Sequence, residues 1–418
     1  MESEFETKNF YFKYKYINYD IQLDLNMELF RCKLYKLFIQ YHIDLCKESN
    51  FKINKKDNRK NENILTEILS MFIFFKEDTD DVFFSKNPKY KMDYILQYII
   101  RYTKKIDIYK QILKKMETES IKFFYILKKN KTDSNIKYRI ISDVQNNNFL
   151  LIKCINESSN NIYSSYIIKY PLYSHLFNLF IHNNKVDLKF DNISIENFLQ
   201  KYFSEHSKID ENTKNIMDNI NKYIFILFNR YNCIHSGGNQ ASILPSFKFF
   251  IKKYLNIKVE LFGSALNTSC YTYGSIFYDI EKYFGSKGSF FNMDIIRGYY
   301  ELNPPFVFSV IYNMFKKLYL SLEKSKEGLL FVIIIPKSKL DDFKYYNLLD
   351  KYLKYQNILD KNIFPYIQYD INYTNQKIRY IVNTYILIYH NEYINEITKN
   401  IVSSFNEYLD KYINSIKK

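Results

Sequence analysis

The run YYELNPPFVFSV, residues 299–310, decides how the second half of the chain is read. Two adjacent prolines supply no backbone N–H donors and each fixes φ, so neither a helix nor a central strand passes through Pro304 and Pro305. The apolar residues before them therefore form a strand that stops at this corner. After them, VFSVIYNMFKKLYLSLEK (307–324) carries apolar residues at spacings of three and four, the period of a helix. The stop is rigid and flanked by an amide, Asn303, and a flat ring, Phe306.

Working outward from this corner, the pattern alternates. A helix is expected over PSFKFFIKKYLN from Pro245, a strand over KVELFG, a strand around GYYEL, a strand over GLLFVIII, further strands near FPYIQYDI and YIVNTYILIYH, and a closing helix. Strands alternating with helices predict an α/β fold with a parallel sheet covered on both faces. Ligands of such sheets bind beyond the carboxyl ends of the strands, where KVELFGSALN and GYYELNPPF both carry their unusual residues. All eight glycines fall between residues 237 and 328, and glycines that survive in a glycine-poor chain mark tight turns or close approaches to a ligand. The site is expected in this window.

Upstream, DIQLDLNMELFRCKLYKLFIQYHIDL (20–45) and MDYILQYIIRYTKKIDIYKQILKKM (92–116) have helical amphipathic spacing, and YRIISDVQNNNFLLIKCI (138–155) reads as two strands joined at QNNN. Residues 1–223 are thus expected to form a mostly helical, basic domain, and residues 224–418 the α/β domain.

A net charge of +15 favours polyanions, so nucleic acid or an anionic membrane surface is the expected partner. No apolar run reaches the roughly 18–20 residues that cross a bilayer, which disfavours the membrane. The acidic, polar start MESEFETKNF is no secretory signal. Five cysteines without a CxxC pair and six histidines without ligand spacing predict neither disulfides nor a metal, in a reducing, intracellular compartment.

The corner suits an amine. The exocyclic N6 of adenine has two donor hydrogens and a delocalised lone pair. The Asn303 side-chain oxygen and the Pro304 carbonyl can each accept one hydrogen, while Phe306 offers a stacking face. With a sulfonium methyl donor in line, positioning supplies most of the rate and no general base is needed. The bland alternative is a turn after a strand.

Further strings surround this one: VELFGSALN (259–267), SIFYDIEKYFGSKGSFF (275–291), LLFVIIIP (329–336) and YIVNTYILIYHN (380–391). In this order, F-x-S-x-L-N, F-x-D-x-x-x-Y-F-G-S-x-G, N-P-P-F, F-x-x-x-I-P and N-T, the chain resembles the cap-specific adenosine N6-methyltransferases. This is the family whose animal members were first described as binding the phosphorylated tail of RNA polymerase II. The resemblance runs from about Arg230 to Asn391. It implies a Rossmann-like methyltransferase that uses S-adenosyl-L-methionine to methylate N6 of the adenosine beside the mRNA 5′ cap.

Carried over by position, Asn303, Pro304, Pro305 and Phe306 match the catalytic motif. Phe262, Gly263, Ser264, Leu266, Asn267, Asp279 and Phe284 are expected to line the cofactor pocket, and for Tyr283 and Phe284 core packing is the alternative. An acidic pair expected after NPPF is replaced by Val307 and Phe308, an acidic-aromatic step after the I-P strand by Lys337-Ser338, and an aspartate before the NPPF strand by Asn292, with Asp294 nearby. The chain has no tryptophan, so the family's WW module is expected to be missing.

The capped 5′ end of RNA is the expected partner, since a base must be unstacked to reach a corner pocket. Arg101, Arg230 and Arg297 are the candidate substrate contacts, each with a structural salt bridge as the alternative. Nucleus and cytoplasmic viral factory both stay open as the compartment. Methylation of DNA or internal RNA adenine, or a non-catalytic RNA-binding subunit of the same fold, are the alternatives to cap-adjacent methylation.

Overall fold

Seven consecutive apolar residues, Leu329 to Ile335, are all buried, and they fix the architecture. A strand alternates its side chains between two faces, so an unbroken apolar run needs a packed layer on each side. Leu330, Val332 and Ile334 share a core with Phe247, Phe250 and Ile251 of the helix Pro245–Leu255 and with Phe405 and Leu409 of the helix Phe405–Ile416. Leu329, Phe331, Ile333 and Ile335 share the opposite core with Ile311, Met314, Phe315, Leu318 and Leu322, one stripe of the helix Phe308–Lys324.

The computed structural model describes residues 2–6, 10–15, 23–51, 69, 81–88, 95–96, 99, 103, 105–129, 137–146, 149–186, 197–199, 202, 210–234, 241–337, 344–369, 376–380 and 382–416. Its strands are β1 (Glu2–Glu6), β2 (Tyr11–Lys15), β3 (Tyr138–Asn146), β4 (Phe149–Asn156), β5 (Ile162–Lys169), β6 (Ser242–Ile243), β7 (Val259–Glu260), β8 (Thr272–Tyr273), β9 (Met293–Leu302), β10 (Leu329–Pro336), β11 (Leu353–Leu359), β12 (Tyr366–Tyr369), β13 (Gln376–Arg379) and β14 (Thr384–His390). The main sheet has eight strands, in the order β1-β2-β9-β10-β14-β11, with β7 also on β9 and β8 on β7.

The chain is therefore α/β, but the sheet is mixed rather than parallel. β8, β7, β9 and β10 run parallel, whereas β14 is antiparallel to both β10 and β11, and β2 is antiparallel to β9. The connections differ accordingly. β9 reaches β10 through a long crossover helix, as parallel neighbours require, whereas β11 and β14 are linked through the antiparallel hairpin β12–β13. That hairpin and β6 make a small second sheet.

Before residue 234 the described elements include four long helices, Leu25–Glu48, Ile106–Lys129, Tyr170–Asn184 and Glu211–Cys233, and the antiparallel sheet β3-β4-β5. Asp24 and Asp210 cap two of these helices, accepting from the Met27 N–H at 2.7 Å and the Thr213 N–H at 2.9 Å. Of the second upstream stretch, Ile95, Leu96 and Ile99 are helical and the helix Ile106–Lys129 covers its later part, while most of the residues between lie outside the described ones. All five cysteines are buried free thiols. No helix among the described residues is long and apolar enough to cross a membrane.

Candidate active site

The parallel strands β7, β9 and β10 end together. Glu260 pairs with Glu301 and Leu302 with Ile333, so the β7–β9 register carried two residues further sets Phe262 level with Asn303. Beneath this level two carboxyl groups lie side by side on β7 and β9, and one lysine serves them. Lys248 Nζ is 2.7 Å from Glu260 Oε2, and Glu260 Oε1 accepts from the Ser269 N–H at 2.7 Å. Burial pushes Glu260 up, but Lys248 more than reverses this and holds it below the usual carboxylate range. Glu301 has no such partner. Burial, with the neighbouring Glu260 charge, pushes it up to about 8, and its buried Oε2 has no hydrogen-bond partner.

Above these acids the chain turns through Asn303, Pro304, Pro305 and Phe306. Asn303 is half-buried, and its side chain makes no hydrogen bond among the described residues. Pro304 is buried, and the Val307 N–H donates to the Pro305 carbonyl at 2.6 Å as the helix Phe308–Lys324 begins. Phe306 is 38% exposed and stands edge-on to Tyr366 of β12, with ring centroids 5.4 Å apart at 87°. The Tyr366 hydroxyl lies 2.9 Å from Thr384 Oγ1, Thr384 pairs with Pro336 across β10–β14, and the Lys337 N–H donates to the Asn383 carbonyl at 2.6 Å. Three strings distant in sequence, Asn303–Phe306, Phe331–Pro336 and Asn383–Thr384, thus meet at one end of the sheet.

The loop after β7 lies beside this corner. Phe262 packs on Phe290 and Phe291 at 5.1 and 5.8 Å. Gly263 donates its N–H to the Gly274 carbonyl, and a Cβ on Gly274 would stand 2.5 Å from the Leu261 oxygen, so this double turn admits no side chain. Asn267 Oδ1 accepts from the Ser264 N–H at 3.0 Å, and the Asn267 carbonyl accepts from Lys248 at 2.9 Å. The Ala265 N–H donates to Glu281 Oε2 at 2.7 Å, while Glu281 Oε1 accepts from the Tyr231 hydroxyl at 2.6 Å. Burial pushes Glu281 up to about 7.

The remaining predicted residues go elsewhere. Leu266 and Phe284 are buried in the core shared with the helices before residue 234. Phe284 meets Phe180, while Tyr283 stacks on Tyr223 at 4.3 Å. Asp279 is 2% exposed and its Oδ1 accepts from Arg230 Nη1 at 2.6 Å. Arg230 itself is fully buried, its Nε and Nη2 gripping Glu28 at 2.6 and 2.8 Å. Glu28 also pairs with Arg31 at 2.6 Å, and Arg31 with Asp81 at 3.0 Å. The arrangement is the salt-bridge alternative for Arg230, and it ties the first long helix to the α/β half. Arg297 sits six residues before Asn303 on an extended strand, roughly 20 Å away, where it pairs with Glu327 at 2.9 Å. Arg101 lies outside the described residues.

Sequence reasoning missed Tyr366, which props the Phe306 ring, and the acid pair Glu260/Glu301. A carboxyl two residues before NPPF, on a strand read as buried, was the available signal for Glu301.

A family model described as "Phosphorylated CTD interacting factor 1 WW domain" matches residues 198–368, which contain the corner, the loop after β7 and Asp279. A mouse protein named mRNA (2'-O-methyladenosine-N(6)-)-methyltransferase is 32% identical over 108 residues, 25% of this chain and 15% of its own length. The human protein of the same name is 31% identical over 105 residues, again 25% of this chain and 15% of its own length. The match thus spans only about 15% of the curated relatives. The expectation that the WW module is missing is corrected, because the matching family is described by that module. Absence of tryptophan tests one residue type and not the 198–368 pattern as a whole. The residues that the family model matches include the part of the chain that builds the corner.

Proposed function

We propose that this chain is an S-adenosylmethionine-dependent RNA methyltransferase that modifies N6 of the adenosine adjacent to the 5′ cap. The observation that carries the reading is the convergence of Asn303–Phe306 with Pro336 and Thr384 at one end of the sheet, in a chain that is similar over 108 residues to a named mRNA N6-methyltransferase. In this reading residues 224–418 form a Rossmann-like catalytic domain and residues 1–223 the RNA side.

The residues present fit a nucleoside-bearing cofactor. A half-buried Asn303 amide stands beside the small-residue turn Gly263-Ser264, and a buried Glu301 oxygen without a partner lies beneath them, polar groups of the kind that a ribose and an adenine edge call for. Phe262, Gly263 and Ser264 would line it, with Asn267 shaping the turn through its bond to Ser264. When bound, S-adenosylmethionine supplies an electrophilic methyl group on a positively charged sulfur. The chain's own work is orientation. Asn303 Oδ1 and the Pro304 carbonyl accept the two N6 hydrogens, which draws the lone pair out of conjugation. The prolines hold that carbonyl still, and Phe306, braced by Tyr366, presents a ring face to the base. The proton released from N6 leaves to water.

Incubation with isotopically labelled S-adenosylmethionine and capped RNA beginning with adenosine, followed by nucleoside mass spectrometry, should yield label on N6. The same RNA without a cap should compete poorly. Label on internal adenosines or on DNA would overturn cap specificity, and transfer undiminished by Asn303→Ala would overturn the role of the corner.

A further inference from the structure

We propose that four cations at the rim of this corner, Lys337, Lys361, Lys377 and Arg379, form the track for the phosphates of the single-stranded RNA entering it. The inference rests on the RNA-methylation reading and names the surface that would serve it.

Asn383 holds the first two in place. Its carbonyl accepts from the Lys337 N–H at 2.6 Å and its Oδ1 from the Lys361 N–H at 2.9 Å, so one residue ties together the loops that follow β10 and β11. The next residue, Thr384, is the one bonded to Tyr366, against which Phe306 stands. The hairpin carries the other two. Arg379 lies directly opposite Tyr366 in the β12–β13 pair, and Lys377 opposite Gln368. Residues directly opposite in an antiparallel pair project from the same face, so both cations share the face on which Tyr366 meets Phe306.

All four side chains are exposed, and none has an ion-pair partner among the described residues. On the loop after β11, the Asp360 carboxylate accepts from the Asn362 N–H and is turned into its own loop. The exposed Tyr380, 55% accessible at the end of the same strand, adds a ring for stacking. Unpaired cations beside aromatic rings, on elements anchored by main-chain bonds, are what a single strand of nucleic acid needs: charge for the backbone and π-faces for the bases.

The test compares the intact chain with two rim variants, Lys337→Gln with Lys361→Gln, and Lys377→Gln with Arg379→Gln. The control, Lys324→Gln with Lys326→Gln, removes two exposed charges just before the amino end of β10, at the opposite end of that strand from the corner. Binding of a short capped single-stranded RNA is followed by anisotropy across a salt series, and binding of S-adenosylhomocysteine by calorimetry. Each rim variant should weaken RNA binding about tenfold or more and lower the salt slope by about one for each phosphate it no longer neutralises. The control should not, and calorimetry should be unchanged throughout. Rim variants that bind as wild type does, or a control that weakens binding as much, would overturn the proposal. A wild-type chain that transfers no methyl, combined with rim variants that no longer bind RNA, would sink the methylation reading while sustaining the track.

Discussion

Two charged regions of this molecule treat their polar groups in opposite ways. Around Arg230 every charged side chain is paired with an opposite one: its guanidinium with Glu28 and Asp279, Glu28 also with Arg31, and Arg31 with Asp81, all within the interior. At the corner the groups are left unspent. The Asn303 amide, the Glu301 Oε2 and the rim cations have no hydrogen-bond or ion-pair partner among the described residues. The first region holds the fold together; the second is built for something outside it. The contrast is between saturated and unsaturated chemistry, and burial alone does not draw it.

The largest expected effect breaks the saturated side. Arg230→Met removes the cation between two buried carboxylates, leaving Asp279 uncompensated and Glu28 with Arg31 alone, at a cost of about 3–5 kcal/mol. Burial raises the Glu28 carboxyl, and Arg230 with Arg31 more than reverses this, so without Arg230 the acid must protonate or drag in water. Urea unfolding reads the loss. Arg230→Lys should recover only part of it, because an ammonium cannot fork onto Glu28. A stability change below about 1 kcal/mol would show that the network is not what joins the two halves.

The next effect separates rate from stability. Asn303→Ala should lower methyl transfer about a hundredfold or more, the scale of removing one positioned polar group from the reacting centre. Its urea midpoint should hardly move, since the amide bonds no described neighbour. The opposite pattern, a destabilised chain with an unchanged rate, would make the corner an ordinary turn.

A third, smaller effect lies between the two regions, at Glu301. Folded, this group keeps its proton up to about pH 8; unfolded, it loses it near 4.5. Over that window the folded chain binds more protons, so its stabilising contribution is complete below the unfolded value and is lost as pH rises through about 8. Glu281, pushed up to about 7, adds the same sign over a lower range. Glu301→Gln should therefore flatten the decline in urea midpoint between pH 7 and 8. A decline as steep as in the wild type would mean that Glu301 is already ionised in the fold.

How much of this was legible in sequence follows from which interactions are local. The helix from Pro245, the strand stop at Leu302 and the buried run Leu329–Ile335 are set by period and by proline, and they stand where periodicity put them. Strand direction is not: a parallel and an antiparallel strand share the same two-residue alternation, and β14 gave no sign that it would run against β10. Side-chain partners were illegible for the same reason. Arg230 finds Glu28 across 202 residues, and Phe306 finds Tyr366 sixty positions on, distances at which one sequence carries no pairing signal.

Arg297 gives the smallest expected effect and the cleanest comparison, because it is an arginine of neither kind. It stands on β9 far from Asn303, half-buried, paired with Glu327 at 2.9 Å and lying 5.9 Å over the Tyr11 ring. A pair so open to water contributes below about 1 kcal/mol, since the side chains lose entropy to hold it and solvent screens it. Arg297→Gln should accordingly shift the urea midpoint slightly and leave both kcat and KM for capped RNA unchanged. Arg297 lies in mid-strand, six residues short of Asn303, too far to reach a base held at the strand's carboxyl end. Were KM to rise tenfold with stability intact, RNA would have to wrap along β9 toward the β2 edge. The division between a charge-paired interior and an unpaired corner would then fail.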